Sequence, residues 1–144
     1  MPLDYLDYAR QFFEAFNKLP ERDPPPSWPR YFLLCHSIEL ALKAYLAKLG
    51  ATPKQLKFEL GHKLAELVDE AVGKGLRLTP ETQDSIKALA KAHFNYWHRY
   101  PWEWENSDGV YVIEQFIRAA HELINEVCKE VHGVSWEDLE RTGH

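Results

Sequence analysis

The chain is poor in cysteine: it has two, Cys35 and Cys128, far apart and each within an apolar stretch. They form no CxxC pair and show no spacing typical of a metal site or a disulfide framework, so we expect two buried, reduced thiols. No stretch reaches the roughly 18 apolar residues of a membrane span. The start, MPLDYLDYARQ, has acidic residues and no long apolar run, unlike a signal peptide. These absences predict a cytoplasmic protein without membrane association.

The motifs of common catalytic and metal sites are also missing. The sequence has no glycine-rich phosphate loop, no GxSxG and no HExxH, and its seven histidines show no ligand spacing. ELGH at 59–62 is a lone Glu-x-x-His, whereas a di-iron bundle needs two such pairs and two further glutamates. Cys35 and His36 are adjacent on a predicted helix and point about 100° apart, a poor geometry for a nucleophile and its base. The sequence predicts neither a metal nor a cofactor.

Length and composition are those of one globular domain, which we place at 1–144. The 144 residues are 45% hydrophobic and 27% charged, and a chain of this size can bury roughly two-thirds of its unfolded surface. No segment alternates apolar and polar residues as a strand would. We therefore predict an all-α fold, with helices arranged in an up-and-down antiparallel bundle of about five.

The predicted helices cover about 3–18, 29–49, 62–74, 80–100 and 110–132, with a short capped turn at about 135–142 in which Ser135 faces Asp138. Three consecutive prolines break the chain within 19–29, and Pro101 stops the fourth helix. Thr79 followed by Pro80 is typical of a helix N-terminus. The first helix carries an apolar stripe of Tyr5, Ala9, Phe12, Phe13, Phe16 and Leu19. The second is apolar on almost every side, so we expect it to be central.

Charge is unevenly distributed along the chain, which has a net charge of −5. Residues 43–91 hold nine Lys/Arg and six Asp/Glu, whereas 102–144 hold three Lys/Arg and ten Asp/Glu. A free-standing nucleic-acid binder usually shows a strong basic stripe, which is missing here. Two interpretations are open: a local anion site with an acidic partner surface, or solvated helix faces.

A polar set interrupts the second helix. His36, Glu39 and Lys43 are spaced three and four residues apart, so they share one helix face, and Ser37 lies beside it. Glu39 and Lys43 have the favourable order for an i,i+4 ion pair. Either this pair anchors a site that presents Lys43 or His36 to an anion, or it gives an otherwise apolar helix a polar edge.

The fourth helix ends in the densest aromatic segment, HFNYWHRYPWEW (93–104). Rings beside a guanidinium and imidazoles suit the stacking of a base and the pairing of a phosphate. They suit equally an aromatic helix end wedged into a core. The candidate residues are His93, Tyr96, His98, Arg99 and Tyr100.

Three motifs, in this order, resemble the HEPN domain family: SIELALKAYLAKLG, GHKLAELVDEAVGKGL and YWHRYP. The resemblance spans roughly residues 30–125. It matches Ser37, Glu39 and Lys43 to the first motif, His62 and Leu64 to the second, and Tyr96, Arg99, Tyr100 and Pro101 to the third. It implies a helical bundle that pairs as a homodimer and that binds nucleotides, cleaves RNA without metal, or works beside a nucleotidyltransferase in a toxin–antitoxin pair.

The chain departs from the nuclease pattern of that family, an Arg-x(4–6)-His motif. After Arg99 the window that should hold the histidine reads WEN (104–106). Arg30 and His36 have the spacing, but on the second helix, and we interpret that match as coincidence.

Three hypotheses follow. The first is a dimeric module that binds a nucleotide or RNA phosphate through Lys43, Glu39, His62 and Arg99, with Tyr96 and Tyr100 stacking, and that is not an efficient nuclease. The second is a metal-independent endoribonuclease toxin in which Arg99 holds phosphate and His93 or His98 is the base. The third is a protein-interaction bundle whose acidic fifth helix contacts a partner. The first two require Lys43 and Arg99 to converge on one pocket.

Overall fold

The computed structural model describes residues 2–20, 28–60, 63–97 and 114–142, with side chains described for 4–20, 29–57, 63–91 and 114–142. Within these ranges the chain forms helices and no β strand, which confirms the predicted all-α bundle. The helices are α1 (Pro2–Lys18), α2 (Trp28–Lys48), a π-helix (Gln55–Leu60), α3 (Leu64–Gly73), α4 (Pro80–Trp97), α5 (Glu114–His132) and α6 (Trp136–Arg141).

Helix α2 is the centre of the bundle, as its nearly uniform apolar sequence predicts. It packs against α1, α3, α4 and α5, and its buried residues include Leu34, Ile38, Leu42 and Leu46, each at most 1% exposed. Gly50 ends the helix with a φ of +102°, a conformation that favours glycine. Leu49, which the apolar pattern placed in this helix, lies one residue past its end and is 46% exposed.

Helix α1 lies along α2 through its apolar stripe. Leu6, Ala9, Phe13 and Phe16 are buried there, since residues three and four apart share one helix face. Leu19, the last residue of the apolar stripe, follows the last helical residue and is 36% exposed. Because the helix ends at Lys18, the helical spacing does not direct the Leu19 side chain toward α2.

Both predicted helix caps are confirmed. The Thr79 hydroxyl accepts a hydrogen bond from the Thr82 amide at 3.2 Å, with Pro80 as the first residue of α4. The Ser135 hydroxyl accepts from the Asp138 amide, also at 3.2 Å, at the start of α6. This cap fixes the direction of α6, which buries Trp136 and Leu139 against the rest of the bundle.

The π-helix between α2 and α3 is an element that the sequence pattern did not predict. The Thr52 amide donates to the Gln55 Oε1 at 2.8 Å, and the Gln55 amide donates to the Thr52 hydroxyl at 3.2 Å, so the two residues cap the segment reciprocally. Leu56 is 1% exposed and anchors the segment to the core. The wider turn of a π-helix has no distinct signature in side-chain spacing over six residues.

Candidate functional site

The structure describes the side chains of two of the candidate binding residues, Glu39 and Lys43. His62, His98, Arg99 and Tyr100 lie outside the described residues, and although His93 and Tyr96 belong to α4, their side chains lie outside them too. The convergence of Lys43 with Arg99 on one pocket therefore stays a prediction.

Glu39 and Lys43 form an ion pair within α2, with 2.9 Å between the Lys43 Nζ and the Glu39 Oε2. The pair is buried: Glu39 is 2% exposed and Lys43 is 9% exposed. The expectation of a polar helix edge is thus corrected, because these side chains lie inside the fold and not at a solvated rim. Helical spacing brought the two groups together, and packing by the rest of the bundle removed them from water.

Lys43 keeps hydrogen-bonding capacity that no described residue uses. A lysine ammonium carries three N–H donors, and the Glu39 carboxylate accepts the single hydrogen bond found for Lys43 within the described part of the chain. A largely buried donor without an acceptor is costly. The remaining donors are the feature of this site that best suits an anionic ligand.

Ser37 is buried beside the pair but does not contribute to it. Its hydroxyl donates to the Leu34 carbonyl at 2.9 Å, one turn earlier in the same helix. A serine bonded in this way satisfies its own polar group within the helix. The position that the HEPN resemblance matches to Ser37 is therefore occupied by a structural hydroxyl.

His36 and Arg30 each contact aromatic rings. His36 meets Phe12 edge-on at 4.6 Å and stacks on Phe32 at 5.7 Å between ring centroids. The Arg30 guanidinium lies 4.4 Å from the centre of the Phe16 ring, a cation–π contact between α1 and α2. These contacts give both residues of the formal Arg-x(5)-His match a packing role.

Cys35 is unsuited to nucleophilic chemistry. Burial raises the pKa of its thiol to about 12, against the opposing effect of a hydrogen bond with Tyr31, and the nearby Glu39 adds to the rise. The thiolate is the reactive form of cysteine, so this side chain is inert in the folded protein. Tyr31 itself donates to the Leu89 carbonyl at 3.0 Å and joins α2 to α4, and burial raises the pKa of its hydroxyl as well.

Sequence reasoning missed a second group of buried polar side chains, in α4. Ser85 is 1% exposed, accepts from the Gln115 Nε2 at 2.8 Å and donates to the Glu81 carbonyl at 2.9 Å. Thr82 is 7% exposed. The sequence pattern could have indicated their burial. Thr82 and Ser85 precede the apolar residues Ile86 and Leu89 at three-to-four spacing, so they lie on the same buried face of α4.

Metal-ligating side chains do not cluster in the ranges that the structure describes: no group of three or more His, Cys, Asp or Glu residues could hold an ion there. The described helices also include none that is both long and apolar enough to cross a membrane.

Comparison with known proteins adds no family to these observations. No family model matches the chain, and the searches of curated proteins and of solved structures likewise yield no match.

Proposed function

We propose that the chain is a HEPN-like helical module that binds a nucleotide or an RNA phosphate, with Lys43 as an anion contact held in place by Glu39. The observation that carries this proposal is the buried ammonium of Lys43 and the donors it has left after its hydrogen bond with Glu39. Phosphate oxygens are strong acceptors and pair well with such a group. On the basis of the resemblance, the proposal also includes a homodimer and a nucleotidyltransferase-type partner in a toxin–antitoxin pair.

The burial of the pair supports a binding role more than a stabilising one. Taking two charges out of water costs several kcal/mol for each ion, and a well-packed apolar pair at the same positions is often as stable or more so. The neighbours of the pair in α2 are mostly apolar, since Ile38, Leu40, Ala41, Leu42 and Ala44 surround Glu39 and Lys43 in the sequence. A ligand that needs a fixed ammonium is a physical reason for a charged pair at this place.

Two measurements test the proposal, both in the presence of EDTA. The first is fluorescence anisotropy with a labelled RNA of about 12 nucleotides, and the second is thermal unfolding with and without ADP. We expect Lys43→Met to weaken RNA binding by about tenfold, the effect of losing one hydrogen bond to a charged group. The matched control is Lys74→Met, which removes the lysine of an exposed i,i+4 pair with Glu70.

A second variant, Glu39→Gln/Lys43→Met, controls for destabilisation. It removes both charges of the buried pair together, so neither is left buried without its partner. If the Lys43 and Lys74 variants bind RNA equally well while both remain folded, Lys43 is not the anion contact. RNA that is cut in EDTA, with the cleavage lost in Arg99→Ala, would favour the endoribonuclease hypothesis instead.

A further inference from the structure

A groove that is separate from the proposed phosphate site runs along α5. Its two adjoining cavities, of about 820 and 790 Å³, share Thr79, Glu122 and Glu126. Residues 75–85 form one side of this groove, and α5 from Glu114 to Glu130 forms the other. We call it the α5 groove.

Carboxylates outnumber cations in the lining of the α5 groove: Glu81, Glu114, Glu122, Glu126 and Glu130. The cations that line it are Arg77, Arg118 and Lys129. Lys129 is committed to Glu126, with 3.1 Å between the Lys129 Nζ and the Glu126 Oε1. The groove therefore has an acidic excess, which attracts positive charge and repels a phosphate backbone.

Apolar side chains lie between these charges. Phe13 of α1 and Ala119 of α5, both buried against the core, line the groove together with the half-buried Ile117. A surface of this kind has room for apolar side chains on its floor and for cationic ones at its rim.

Trp136 of α6 lies behind the groove and lines neither of its cavities, but it packs against two residues that do. Trp136 is 6% exposed, and its ring stacks on His121 at 5.4 Å and meets Phe13 edge-on at 5.6 Å. Both of these neighbours line the groove. The Trp136 indole Nε1 is buried and donates to no acceptor in the described ranges, whereas buried indole N–H groups usually have a partner.

We propose that the α5 groove binds a segment of a partner protein in which lysine or arginine alternates with apolar residues. The cationic side chains pair with the carboxylates of α5, and the apolar side chains contact Phe13 and Ile117. This surface lies on α5, residues 75–85 and Phe13 of α1, and the inference does not depend on the phosphate site of α2.

The test uses a fluorescein-labelled peptide of about 12 residues that alternates lysine and leucine, with a glutamate–leucine peptide of the same length as a control. We expect the lysine peptide to bind, and Glu114→Gln/Glu122→Gln to weaken its binding by about tenfold, since two carboxylates of the rim are lost. The matched control is Glu66→Gln/Glu140→Gln, which removes two exposed carboxylates that do not line the groove.

Nuclear magnetic resonance distinguishes binding in the groove from a general electrostatic attraction between the peptide and the protein. The indole N–H signal of Trp136, assigned with Trp136→Phe, should shift when the lysine peptide is added and stay in place with the glutamate peptide. The proposal is overturned if the two double variants weaken binding equally, if both peptides bind alike, if neither binds, or if the Trp136 signal does not respond. Competition by a labelled RNA for the same groove would also overturn it. Thermal unfolding of each variant confirms that a loss of binding is not a loss of fold.

Discussion

At the scale of single residues, Glu39 and Lys43 are the pair on which the candidate site depends. Their separation of 2.9 Å follows from an i,i+4 spacing on one helix, which the sequence predicts directly. Their burial does not follow from that spacing, because it is produced by side chains from distant parts of the chain. The sequence therefore predicted the contact and left its environment open.

Breaking this pair should destabilise the protein far more than breaking an exposed pair of the same spacing. We expect Glu39→Leu to lower the free energy of unfolding by about 3 kcal/mol, since it leaves the Lys43 ammonium buried without its carboxylate. Glu39→Leu/Lys43→Met should recover most of that loss. Urea unfolding followed by circular dichroism measures both variants.

The exposed Glu70–Lys74 pair of α3 is the matched comparison, because both of its side chains are nearly half exposed. Glu70→Leu should change the free energy of unfolding by no more than about 1 kcal/mol. Equal losses at Glu39 and Glu70 would show that burial does not govern the strength of the α2 pair.

At the scale of helices, caps and breaks were predictable, because they depend on neighbouring residues. Thr79 with Pro80, and Ser135 with Asp138, form the expected N-terminal bonds. The π-helix was not predictable, since its six residues read equally well as a loop or as an extension of α3. The spacing of Ser85 placed it on the buried face of α4, but its hydrogen bond with Gln115 of α5, 30 residues away, was not predictable.

The N-cap of α4 gives a prediction at this scale. Thr79→Ala should lower the free energy of unfolding by about 1 kcal/mol, because the Thr82 amide loses its acceptor. Thr79→Ser retains the hydroxyl and should lose at most a few tenths of that. Urea unfolding of the three proteins compares them, and equal destabilisation by serine and alanine would contradict a capping role.

At the scale of the whole molecule, the central position of α2 protects groups that lie far apart in the sequence. Cys35 in α2 and Cys128 in α5 are free and buried, at 1% and 0% exposure. Burial is the main cause that raises the pKa of Cys35 to about 12 and that of Cys128 to about 11. Neither thiol can ionise near neutral pH without opening the bundle.

Thiol labelling should therefore report global unfolding. At about pH 8, we expect both cysteines to react with a chromogenic disulfide reagent only as fast as the bundle unfolds, so that the rate rises with urea along the unfolding transition. Leu49→Cys places a thiol at a position that is 46% exposed in the native protein and should react at once. Rapid labelling of Cys35 well below the transition would contradict this expectation.

The sequence by itself determined the all-α class, the central helix, the helix caps and the pairing of Glu39 with Lys43, because each of these depends on residues within about one or two helical turns. The tertiary structure alone decided that this pair is buried, that Gln115 bonds to Ser85, that Trp136 lies within the core, and that an acidic groove forms between α5 and residues 75–85. Burial and grooves arise where helices distant in the sequence meet, and the packing of those helices is not encoded in any local spacing.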